Sequence, residues 1–227
     1  MTILQIPTPN LKQTIKYYDD LGFKYESLND QHYIFDNQIT IEIDTSHVSR
    51  IGIKIFSIDF SKMISALEKI APITKTDNGF ITTSPSGCWV YLAQSEAPIL
   101  NTSKEQNTIL GNFSGISIES HSFKKEVKFW ELLGFKITAG SANDPWASLV
   151  NEDKFVISLM KPLMCPHLFF NPSLTFFNGK NNPQIIDEIR TRKIPIRQEI
   201  THFNKNNIVD NIILCDPSGL GAFIFND

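Results

Sequence analysis

Apolar positions along the chain follow two periods in alternation. Leu11, Ile15, Tyr18 and Leu21 fall on one face of a helix that Asn10 can cap, and Gly22 supplies a stop. Phe123, Val127, Trp130 and Leu133 repeat that stripe, and Gly134 repeats the stop. After each helix the period shortens to two: Tyr33 to Phe35 and Ile39 to Ile43 after the first, Ala147 to Val150 and Phe155 to Leu159 after the second. Arg50 to Phe56 reads as a further strand. A helix face of Phe60, Met63, Ile64, Leu67 and Ile70 follows, then a hairpin of Phe80 to Thr83 and Trp89 to Leu92 around Pro85-Ser86-Gly87. Residues 173 to 226 give a fourth block, with Ile185, Ile186 and Ile189 in its helix.

The blocks are copies. TIKYYDDLGFKYE from Thr14 aligns with EVKFWELLGFKIT from Glu126, at an offset of 112 residues. SPSGCWVYL from Ser84 echoes DPSGLGAFI from Asp216. Such self-similarity decides architecture before local detail does. It predicts an α+β fold of four βαβββ units, with domains at 1–97 and 111–227 joined by a polar, aperiodic linker at 98–110.

The helix ends Tyr17-Tyr18 to Leu21-Gly22-Phe23 and Phe129-Trp130 to Leu133-Gly134-Phe135, with the closing turn Asp216-Pro217-Ser218-Gly219, resemble the vicinal oxygen chelate superfamily. That group includes glyoxalase I, bleomycin-resistance proteins and extradiol dioxygenases. The resemblance implies two half-open, curved mixed sheets, each with a concave face that holds a site. It also implies that metal-dependent members take ligands from first strands, usually His, and from last strands, usually Glu. Counting back from the helices places the first-strand positions at Ile3, Arg50, Gly115 and Ser173. The last-strand positions fall at Glu42, Tyr91, Ser158 and Phe223. Only Glu42 among them is a strong ligand for a divalent ion, so no metal or other cofactor is expected.

What the concave faces offer instead is Glu42, Arg50, Trp89 and Tyr91 in the first domain, and Phe223 with Phe225 in the second. A guanidinium fork and aromatic faces suit a flat small molecule, unless Arg50 and Glu42 pair and plug the cup. Ser117, Glu119 and His121 alternate along one strand. Glu119 and His121 are therefore the candidates for acid–base work or for an unconventional metal site. Cys165-Pro166-His167 brings a thiol and an imidazole close in sequence, but its proline marks an extended loop.

Composition narrows the partners. With 21 basic and 24 acidic residues the net charge is -3 and no polybasic run occurs, so nucleic acid is not an expected partner. No stretch is apolar enough for a membrane span, and no leader pattern opens the chain, so a cytoplasmic monomer or homodimer is expected. Three cysteines, at 88, 165 and 215, are too few and too scattered for a disulfide framework. Two functions follow. The first is a metal-independent binding or sequestration protein for a small organic molecule in an aromatic cleft. The alternative is a divalent-metal-dependent lyase, isomerase or dioxygenase with non-standard ligands.

Overall fold

A computed structural model describes residues 1–101 and 107–226, so part of the expected linker lies outside the described residues. The first unit is β1 (Thr2–Pro7), α1 (Leu11–Asp20), β2 (Lys24–Leu28), β3 (Gln31–Phe35) and β4 (Thr40–Asp44). The second is β5 (Gly52–Phe56), α2 (Ser61–Leu67), β6 (Ile73–Thr76), β7 (Gly79–Thr83) and β8 (Trp89–Ala93). The third is β9 (Phe113–Glu119), α3 (Phe123–Leu132), β10 (Lys136–Gly140), β11 (Trp146–Val150) and β12 (Val156–Met160). The fourth is β13 (Ser173–Phe177), a 3-10 turn at Gly179–Asn181, α4 (Asn182–Thr191), β14 (Ile196–Ile200), β15 (Asn211–Cys215) and β16 (Gly221–Phe225).

The expected α+β class and βαβββ repeat are thus present. Units one and two make one eight-stranded sheet, β2-β3-β4-β1-β5-β8-β7-β6; units three and four make the other, β10-β11-β12-β9-β13-β16-β15-β14. At each centre two first strands run antiparallel, β1 against β5 and β9 against β13. Each first strand pairs on its other side, in parallel, with the last strand of its own unit.

Local chemistry explains the repeat. The Asn10 side chain accepts the Gln13 N–H at 3.1 Å and caps α1. At the ends of α1 and α3 the chain reverses in one geometry. Phe23 and Gly22 donate N–H groups to Tyr18 and Asp19, just as Phe135 and Gly134 donate to Trp130 and Glu131. The two glycines sit at φ +94° and +89°, where a side chain would be strained. Two sequence expectations need correction. Helix α2 ends at Leu67, leaving Ile70 outside it and half-exposed, because the helix is only two turns long. Strand β5 begins at Gly52, so Arg50 precedes it.

The helices and the convex faces of both sheets share one apolar core, running from Leu4, Ile53 and Val90 to Ile116, Trp130 and Ile224. Two polar brackets cross it. Tyr18, on α1, donates its hydroxyl to Asp216 in the turn after β15, at 2.9 Å. In the converse arrangement Glu126, on α3, accepts from the Ser86 backbone N–H at 2.7 Å in the turn after β7. It also takes the Ser86 and Ser120 hydroxyls and the Trp130 indole N–H, the last at 2.9 Å. Tyr18 and Trp130 occupy the same repeat position. The carboxylate has changed sides, from turn to helix. Burial drives the Asp216 carboxyl and the Tyr18 phenol up, so the tyrosine stays a donor. Among the described residues no helix is long and apolar enough to cross a membrane.

Candidate functional site

Strand register fixes which side chains look into each cup. In the first sheet Gln5 lies opposite both Glu42 and Gly52, Ile3 lies opposite Lys54, and Lys54 lies beside Tyr91. Directly paired residues share a face, so Ile3, Lys54, Glu42 and Tyr91 form the central set. In the second sheet the set is Gly115, Thr175, Ser158 and Phe223. The expected positions Arg50 and Ser173 are therefore corrected to Lys54 and Thr175. Ser173 lies on the expected face two residues early along β13, whereas Arg50 stands before β5 begins.

In the first cup Glu42 is buried and its Oε1 accepts from Lys54 Nζ at 2.5 Å. The plugging pair exists, but its cation is Lys54. Arg50 is exposed, with its guanidinium on the Ser49 carbonyl and its backbone N–H and C=O bonded to the Tyr91 hydroxyl. Among the described residues no hydrogen-bond partner meets the buried Glu42 Oε2. Tyr91 joins Gln5, Tyr33, Asp44 and Phe56 around a cavity of about 970 Å³. Trp89 does not line it; the side chain sits half-exposed beside Gly52.

The second cup is apolar. Phe223 and Phe225 stack at 5.4 Å on its wall, and Phe169 and Phe203 approach from loops. Among these rings stands His167, with centroids 5.0 Å from both Phe223 and Phe225. His167 Nδ1 lies 2.8 Å from the Leu168 carbonyl, which can only accept, so Nδ1 carries a proton. Burial holds the imidazole pKa below its ordinary value. The neutral ring then presents Nε2 as an acceptor. The floor is hydroxyl: Ser117 and Thr175 oxygens meet at 2.7 Å. Phe170 lies across Gly221, where any side chain would collide with its ring. His167, Phe169, Phe203, Phe223, Phe225 and the two hydroxyls line a cavity of about 480 Å³.

Glu119 ends β9 and lies near enough to bias both Cys165 and His167 electrostatically. His121 is exposed in the turn beyond the strand, so the expected Glu119–His121 alternation along one strand is not formed. The histidine that enters the cup is His167, from the loop read above as extended. Its only sequence signal is the company of Phe169 and Phe170, which the fold packs against Phe223 and Phe225. The Cys165 thiol stands 3.4 Å from Met160 sulfur, and burial raises its pKa, which favours the inert thiol.

No protein-family profile matches the chain, and no curated protein does. Solved structures do match. A 2,3-dioxygenase from Pseudomonas sp. KL28 is 17% identical with a TM-score of 0.59, over 97% of this chain and 90% of that one. Homoprotocatechuate 2,3-dioxygenase from Arthrobacter globiformis is 13% identical with a TM-score of 0.59, over 97% and 78%. 2,2',3-Trihydroxybiphenyl 1,2-dioxygenase from Sphingomonas wittichii strain RW1 is 12% identical with a TM-score of 0.54, over 100% and 91%. The chain shares the fold of these dioxygenases, here built as two eight-stranded mixed sheets from four βαβββ units.

The donor set is a poor fit to the divalent metal that the sequence resemblance implies. Thr175, Ser158, Gly115 and Phe223 offer no imidazole and no carboxylate, and in the central set of the other cup the ammonium of Lys54 occupies the one carboxylate, Glu42. Among the described residues no three of His, Cys, Asp and Glu converge.

Proposed function

We propose that the protein binds a flat, largely apolar small molecule in the second cup without a metal, as a binding or sequestration protein. The observation that carries this reading is His167 caged by four phenylalanines above a hydroxyl floor. Offset and edge-to-face ring contacts add about 0.5–1.5 kcal/mol per pair beyond burial. A cavity of about 480 Å³ suits a ligand of one or two rings. His167 Nε2 selects an orientation by accepting one hydrogen bond. The alternative is metal-dependent chemistry of the dioxygenase kind. It would need ligands from outside both central sets.

Calorimetric titration with indole, before and after exhaustive chelation, tests the reading alongside elemental analysis. One-to-one binding that survives chelation and weakens at least ten-fold in Phe169→Ala is expected. A stoichiometric divalent metal, or binding lost with the chelator, overturns it.

A further inference from the structure

The first cup carries different chemistry, and the reading above does not use it. We propose that it is a second binding site, for a small primary amine bearing a neutral oxygen acceptor on the neighbouring carbon and an aromatic or aliphatic body.

Lys54 spends one of its three N–H donors on Glu42, leaving two for a ligand oxygen. Asp44, which also lines the cavity, accepts from Gln5 Nε2 at 3.2 Å and from the Ser46 N–H at 2.8 Å. A carboxylate has about four lone-pair sites, so Asp44 keeps capacity for an ammonium. Asp44 follows Glu42 by two residues on β4, on the same face and roughly 6.7 Å further along. A ligand nitrogen and oxygen on adjacent carbons, each extended by a hydrogen bond of about 2.9 Å, cover that span.

Charge selects between ligand classes. Lys54 and Glu42 cancel, so Asp44, with Glu96 at the cavity's edge, leaves the cup net negative and favours a cation with a neutral oxygen over a carboxylate. Both tyrosine O–H donors are spent, Tyr33 on Gln31 and Tyr91 on the Arg50 carbonyl. Their ring faces are what remains, which suits an apolar body and a nearby ammonium.

Calorimetry with phenylalaninol, 3-phenyl-1-propanol and phenylalanine tests this. Phenylalaninol is expected to bind at least ten-fold more tightly than the alcohol lacking nitrogen, and more tightly than the carboxylate. Asp44→Asn, at a half-exposed position, is expected to abolish that preference. Absence of phenylalaninol binding, equal binding of the plain alcohol, tighter binding of phenylalanine, or an unchanged preference in Asp44→Asn would each overturn the proposal.

Discussion

At equivalent places in the two sheets, Lys54, Glu42 and Tyr91 of one cup answer to Thr175, Ser158 and Phe223 of the other. The faces turned toward the helices stayed alike, with Ile, Leu and Phe in both copies. The concave faces diverged, one to an ion pair and the other to rings and hydroxyls. The difference teaches where the fold is held: the shared core specifies it, and the cups are free to change their chemistry.

The sharpest break in that comparison is at Glu42. Glu42→Ala strands the Lys54 ammonium in a buried site and should cost about 3–5 kcal/mol in urea unfolding. Ser158→Ala, at the matching position of the second cup, should cost about 1 kcal/mol or less. The double change Glu42→Leu with Lys54→Met should recover most of the loss, since well-packed apolar pairs replace buried ion pairs at little cost. Equal costs for the two single changes would show that the cups do not differ in this way.

The brackets offer a second contrast between the halves. Glu126→Ala leaves the Ser86 N–H and the Trp130 indole without an acceptor and should cost about 3 kcal/mol. Tyr18→Phe removes a single donor from an Asp216 oxygen that keeps the Ser218 hydroxyl, and should cost about 1 kcal/mol. Thermal unfolding of the two variants side by side checks the ratio. A Tyr18→Phe cost as large as that of Glu126→Ala would mean that the carboxylate's position, in turn or on helix, is immaterial.

Most of the fold was legible because a repeat multiplies weak signals: helix stripe, glycine stop and Pro-Ser-Gly turn each occur twice. The cups were legible only in part. Alternation tells which face a strand residue takes, so Arg50 and Ser173 were assigned the faces of Lys54 and Thr175. Height along the strand is set by the pairing partner, and that is a long-range fact. The late start of β5 at Gly52 moved one position by four residues. A register shift after Thr175 marks where the other strand departs from simple counting. His167 was missed for another reason. Its loop has no period, and Phe203, Phe223 and Phe225 reach it only through the folded chain.

The smallest expected effect separates the cups by pH, because a histidine lines only the second cavity. Burial lowers the folded-state pKa of His167, with His202 acting in the same direction and the Leu168 carbonyl and Glu119 opposing. Above the ordinary value of about 6.5 the ring is neutral whether the chain is folded or not, and no stability depends on it. As pH falls below that value the unfolded chain takes up the proton first. Stability then declines until the folded-state pKa is reached, and levels off below it. Melting temperatures of the native chain and His167→Phe, followed from pH 7.5 to pH 5, should diverge in that window, with the variant losing less. The same protonation removes the Nε2 acceptor, so indole binding should weaken over the same range while phenylalaninol binding in the first cup does not. Parallel pH profiles for the two ligands would place both in one cup and erase the distinction.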